Sequence, residues 1–153
     1  MFRTIAPIVL LAVTFPVAAR AQEQTIQRSA LPAAVERTVA DQSKGATIKG
    51  FSKEIEDGRT TYEVELTVGG RSRDVTMDST GAVIEVEEQV ALDSLAPAVQ
   101  QGIKAQAGRA MIGIVERLTK GDKVVAYEAH VTLNGKRSEI QVGPNGEKLD
   151  HEE

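Results

Sequence analysis

The chain has 153 residues, with 22 acidic against 18 basic side chains, a net charge of −4 and no cysteine. Disulfides are therefore excluded, and the acid excess argues against nucleic acid and anionic lipid as partners, because both repel a negative surface. With aromatics at 3%, the core must be built mainly from Val, Ile, Leu and Ala.

In chain order, the first 21 residues have the anatomy of a secretory signal peptide. Arg3 gives the positive start, Ile5 to Ala18 is mostly apolar, and Ala19-Arg20-Ala21 offers the small residues a signal peptidase needs. The apolar run is shorter than the ~20 residues of a membrane span. Cleavage before Gln22 leaves 16 basic residues against 22 acidic ones, a net charge of −6. Gln22 to Ser29 is polar and without period, and is expected to be a flexible leader. Leu31, Ala34, Val35, Thr38, Val39 and Gln42 then fall on one face of a short helix, with Pro32 in its first turn and Gly45 as its stop.

Four strands follow, roughly Ala46–Ile55, Thr60–Val68, Arg71–Met77 and Ala82–Glu87. Asp57-Gly58 and Gly69-Gly70 mark hairpins, and Gly81 closes a longer turn. The pattern then recurs. Leu95, Ala98, Val99, Gly102, Ile103 and Gln106 give a second helical stripe, with Asp93 or Ser94 as its expected N-cap and Gly108 as its stop. Strands are expected at about Ala110–Leu118, Val124–Leu133, Lys136–Val142 and Glu147–His151, with Asn134-Gly135 a strong hairpin signal. The helical residues match at a spacing of 64, whereas Tyr62 and Tyr127, Gly70 and Gly135, and Gly81 and Gly146 match at 65. The second copy thus carries one inserted residue. Repeat one spans about 30–90 and repeat two about 92–151.

Alternation sorts the faces. Tyr62, Val64, Leu66, Val68, Val75 and Met77 point inward in the first copy, as do Tyr127, Ala129, Val131, Leu133, Ile140 and Val142 in the second. Glu63, Glu65, Asp74, Glu128, His130 and Glu139 point outward. This predicts an α+β fold of two α-β-β-β-β repeats: an antiparallel sheet with two helices on one face and the other face bare. A half of about 60 residues is marginal alone, so one shared core is expected.

Several motifs carry a family resemblance: an export signal, Leu31-Pro32 and Ala96-Pro97 opening short helices, Tyr62-Glu63-Val64 on the second strand, and Asp78-x-x-Gly81 and Gly143-x-x-Gly146 before the last. In tandem, they resemble the PepSY-like superfamily of bacterial exported domains, which are similar in structure to the β-lactamase-inhibitor protein. The second copy departs slightly, with Tyr127-Glu128-Ala129. The resemblance covers Leu31 to Asp150. It implies a periplasmic or secreted, non-enzymatic module that binds a protein or peptide of the cell envelope, some members restraining peptidases. The inhibitor grips its target with many aromatics. Here only Phe51, Tyr62 and Tyr127 lie beyond the signal segment, which argues against aromatic-anchored binding.

No catalytic set, cofactor cradle or metal motif stands out. The Asp78 turn has too few carboxylates for Ca²⁺, and the tail Asp150-His151-Glu152-Glu153 is of the kind that frays. The candidate partner-binding face is therefore Glu63, Glu65, Asp74, Glu128, His130 and Glu139, with Lys49, Lys53, Arg73 and Arg137 near enough in sequence to offset it. The plainer explanation of that face is cross-strand charge pairing. Two other functions are open: a soluble sensor of divalent cations or cationic peptides, and a small enzyme using Glu128 and His130 as an acid–base pair.

Overall fold

Alternating apolar and polar residues, broken at intervals by glycine turns, give a single eight-stranded antiparallel sheet whose strands lie in chain order. The computed structural model describes residues 22–56, 58–151 and 153; the expected signal peptide lies outside them. The elements are β1 (Gln22–Thr25), α1 (Ala33–Gln42), β2 (Thr47–Glu56), β3 (Arg59–Val68), β4 (Arg71–Asp78), β5 (Val83–Val90), α2 (Pro97–Ala107), β6 (Met111–Lys120), β7 (Lys123–Leu133) and β8 (Lys136–Val142). One turn of 3₁₀ helix precedes each α-helix, at Arg28–Ala30 and Leu92–Ser94. No helix among the described residues is long and apolar enough to cross a membrane.

Both helices lie on one face of the sheet, as the periodicity requires. Val35 and Val39 of α1 are fully buried against Phe51, Val64, Leu66, Val75 and Met77. Val99, Ile103 and Ala107 of α2 are buried against Val115, Ala129, Val131 and Val142. These are two clusters, not the one shared core expected. The seam between them on the helix side is ionic: Glu88 of β5 holds Arg73 of β4 at 3.3 Å and also pairs with Arg117 of β6. Arg73 also donates to the Gln42 side chain at the end of α1 (2.9 Å).

Several expectations need correction. The leader is not free: β1 pairs with β2 from Gln22↔Ile55 to Thr25↔Ser52, because β2 would otherwise leave that edge open. Glu147–His151 is not a strand and makes only the single bridge Val142↔Lys148. The element order is therefore strand, 3₁₀ turn, helix and three strands, occurring twice, with β5 bonded to both β4 and β6. Neither Asp93 nor Ser94 caps α2. Its N-cap is Ala96, with Pro97 at the first position, and the Ser94 hydroxyl donates to the Ala91 carbonyl instead. Val68 and Leu133 are 42% and 47% exposed, since each ends a strand at a hairpin beyond the reach of its helix.

The inserted residue of the second copy has a structural address. In β2–β3, Lys53, Glu54, Ile55 and Glu56 pair in unbroken register with Tyr62, Thr61, Thr60 and Arg59. In β6–β7, Leu118 pairs with Ala126 but Thr119 pairs with Val124. Val125 is the extra residue, a β-bulge that restores the facing of everything beyond it. The two loops closed by Gly81 and Gly146 also match. Both glycines have positive φ, and an added Cβ would meet the carbonyl oxygen of Ala34 at 2.6 Å or of Ala98 at 2.1 Å. Only glycine lets these loops sit against the helices.

Candidate functional site: the acidic sheet face

The face away from the helices is set by strand parity. Register places Glu23 beside Glu54, Glu63 beside Thr76 and Ser52, Glu65 beside Asp74, and Asp74 beside Glu87. Farther along, Glu116 lies beside Gln89 and Glu128, Glu128 beside Gln141, and His130 beside Glu139. All six residues expected on this face are there. Sequence reading missed Glu23, Glu54, Glu85, Glu87 and Glu116. The alternation in Glu85-Val86-Glu87 and Val115-Glu116 held the signal, but it needed the register of β5 and β6 to be read.

The bases expected to offset these acids mostly do not. Arg73 faces the helix side with Glu88. Lys53 lies beside Tyr62, also on the helix side. Lys49 sits at the bulge between Ile48 and Gly50. Arg137, beside Thr132, shares the face, and Lys120 reaches Glu85 at 3.5 Å.

Nor is the face bare. Ser52 and Glu116 are 5% and 6% exposed, and Leu118 and Ala126, paired side by side, are buried. Glu153 spans β7 at this end: its N–H donates to Gln141 of β8 (2.9 Å) and its carboxylate takes Lys120 of β6 (3.4 Å). Long side chains on a continuous sheet shield one another, so the carboxylates are half-buried among like charges.

Burial first, then the charges of Asp74, Glu23, Glu65 and Glu54, push the Glu63 carboxyl up to about 7. Burial, with Glu116 and Glu65, pushes Asp74 up to about 6 against a stabilising backbone N–H from Leu66. Glu87 is pushed up to about 8 by burial and by Glu85, Glu128, Glu116 and Glu63. Burial also raises Glu128, although the Gln141 amide opposes it. A shallow basin of about 140 Å³ opens between Glu23, Glu54 and Glu63. A broader depression of about 690 Å³ lies at the other end, beside Ile114, His130 and Glu139.

His130 is not principally the partner of Glu128. Its Nε2 lies 3.1 Å from Glu116 Oε2 and 3.7 Å from Glu128 Oε1, and its Nδ1 lies 3.6 Å from Glu139 Oε1. The Ser72 hydroxyl donates to Glu116 Oε1 (2.8 Å), and the Gln141 amide donates to Glu128 Oε2 (2.9 Å). His151, in the tail, is 82% exposed at the side chain, 4.0 Å from Glu153.

No family model matches the chain, and no curated protein sequence matches it. Solved structures do. A DUF2874 family protein of Bacteroides ovatus superposes with a TM-score of 0.60 at 17% identity, over 78% of this chain and 85% of its own. A BLIP-like protein of Bacteroides fragilis gives 0.55 at 19% identity, over 78% and 83%. A candidate periplasmic protein of Bacteroides eggerthii gives 0.63 at 15% identity, over 78% and 86%. At these identities the likeness is one of fold.

Proposed function

We propose that this chain is an exported, non-catalytic binding module that presents the acidic face of its sheet to a basic protein or peptide segment. One observation carries the reading: carboxylates from all eight strands crowd a single face, with few bases among them. Glu63, Asp74 and Glu87 hold their protons far above the ordinary carboxylate range. Burial first, and then the neighbouring like charges, make this a standing cost in the free protein. Arg or Lys side chains laid across the face relieve it, so unfavourable charge in the unbound state becomes affinity in the bound one. A face without exposed aromatic anchors suits charge-driven recognition better than tight hydrophobic inhibition.

The wider reading is that of a PepSY-like exported domain acting outside the cytoplasm on an envelope protein, a peptidase among the candidates. The apolar N-terminal segment ending in Ala19-Arg20-Ala21 supports this, as does a fold shared with a BLIP-like protein and a candidate periplasmic protein.

The test is titration of the protein with a labelled oligolysine peptide, and with oligoglutamate as control, over a range of salt. We expect binding of oligolysine alone, weakening steeply with salt. The pair Glu63→Lys and Glu65→Lys should reduce affinity at least tenfold. Undiminished affinity in that variant, or no binding at low salt, removes the sheet face from the proposal.

A further inference from the structure

We propose that Glu116, Glu128 and His130 form a binding site for a divalent transition-metal ion of the Zn²⁺ class, open at one coordination position. This stands apart from the macromolecular partner proposed above.

The donor atoms have the right spacing. One atom from each residue lies within 4.8 Å of the other two. His130 Nε2 stands 3.1 Å from Glu116 Oε2 and 3.7 Å from Glu128 Oε1. Zn²⁺ bonds of about 2.1 Å in tetrahedral geometry put neighbouring ligands about 3.4 Å apart. The two histidine–carboxylate separations bracket that edge, and the two carboxylate oxygens lie within 4.8 Å of each other, so modest side-chain rotations bring all three donors onto one ion.

The donors are also aimed. Ser72 holds the outer oxygen of Glu116, and Gln141 holds the outer oxygen of Glu128. Glu139 faces Nδ1 of the imidazole at 3.6 Å. Each outer contact comes from a residue outside the triad, and each leaves the remaining donor atom turned toward the centre. Metal-bound histidines and carboxylates are oriented in this way by an outer ring of partners.

The charge is unanswered as well. The Glu116 side chain is 8% exposed, yet the only ion pair it makes among the described residues is with the His130 ring. A carboxylate that deep ordinarily has a fixed cation against it. The imidazole itself is 45% exposed, beside the depression at Ile114. That gives an entry path and room for a water as fourth ligand.

The donor set names the class of ion. One nitrogen and two carboxylate oxygens suit Zn²⁺ and its neighbours, whereas Ca²⁺ takes about six to eight oxygens and Mg²⁺ a near-octahedral oxygen shell. The first copy supplies an internal control. At the equivalent positions it carries Ser52, Glu63 and Glu65, without an imidazole or a second deep carboxylate.

The protein, stripped with chelator and dialysed, is titrated by calorimetry with Zn²⁺, Ca²⁺ and Mg²⁺, and with Co²⁺ while visible d–d absorption is followed. We expect one Zn²⁺ per chain with a micromolar or tighter dissociation constant, and a Co²⁺ spectrum of low coordination number. His130→Gln, at a partly exposed side chain, and the isosteric Glu116→Gln should each weaken binding at least tenfold while keeping the circular dichroism of the parent. Glu65→Gln and His151→Ala should leave it unchanged. The assignment fails if Zn²⁺ is not taken up or if His130→Gln binds as the parent does. It also fails if His151→Ala abolishes binding, or if Ca²⁺ and Mg²⁺ compete on equal terms.

Discussion

Replacing Glu63 with glutamine keeps the shape of the side chain and removes its charge. Glu63 stands in mid-β3, facing Glu23 of β1, Glu54 of β2, Asp74 of β4 and, on its own strand, Glu65. Burial and these neighbours lift its carboxyl from 4.5 to about 7. A group whose folded pKa exceeds its unfolded one contributes stability that is fully present below 4.5 and lost as pH rises through about 7. The free-energy scale of about 1.4 kcal/mol per pKa unit puts the whole gap at about 3.4 kcal/mol, and solvent reaching the side chain reduces this to about 1.5 kcal/mol. Glu63→Gln should therefore be about 1.5 kcal/mol more stable than the parent at pH 8.5, a rise in melting temperature of about 5 °C for a domain of this size. The two proteins should converge as pH falls below 4.5, where the parent side chain becomes neutral in the unfolded state as well as the folded one. Thermal and urea unfolding followed by circular dichroism at half-unit pH steps give the curve. A gap that does not change with pH, or a glutamine variant less stable at pH 8.5, would refute the electrostatic account of the face.

Glu87→Gln should behave alike, with its gain still growing up to about pH 8, because Glu87 is pushed up to about 8. Combined with Glu63→Gln it should gain less than the sum, since Glu63 is one of the charges that raise it. In chemical unfolding, Gly146→Ala should cost about 2–4 kcal/mol, from a strained positive φ and a Cβ driven into the Ala98 carbonyl. Gly45→Ala, also at positive φ but with nothing within 4 Å, should cost about 1 kcal/mol. Deletion of Val125 should leave a folded protein within about 1 kcal/mol of the parent, since it removes a bulge and gives β6–β7 the register of β2–β3. Deletion of Ala129 should abolish folding, because it turns every later residue of β7 to the wrong face; equal tolerance of both deletions would contradict the register.

What the sequence disclosed follows from what alternation can carry. Tyr62 through Leu66 and Tyr127 through Val131 have a strict period of two, and the helical stripes at Val35 and Val39 and at Val99 and Ile103 fall four apart. Faces and helices were therefore legible. β1 was not, because Gln22–Thr25 is polar throughout and becomes a strand only by meeting the open edge of β2. Glu147–His151 failed in the opposite way: a fourth strand was expected there, but Lys148 makes one bridge and the chain turns onto the other face. Six members of the acidic face came from single-strand patterns. Glu116 did not, because its partners Ser72 and His130 lie 44 and 14 residues away, and only sheet register brings them together.

Because the strands run in chain order, each ladder joins sequence neighbours, and the loops that must close are short hairpins or a single helical excursion. Chains of such local topology need little search to assemble. With apolar clusters under separate helices and a charged seam at Glu88, either half has the makings of a cooperative unit able to open while its neighbour persists. Amide exchange should therefore resolve two protection levels, with β5 following whichever half is the more durable.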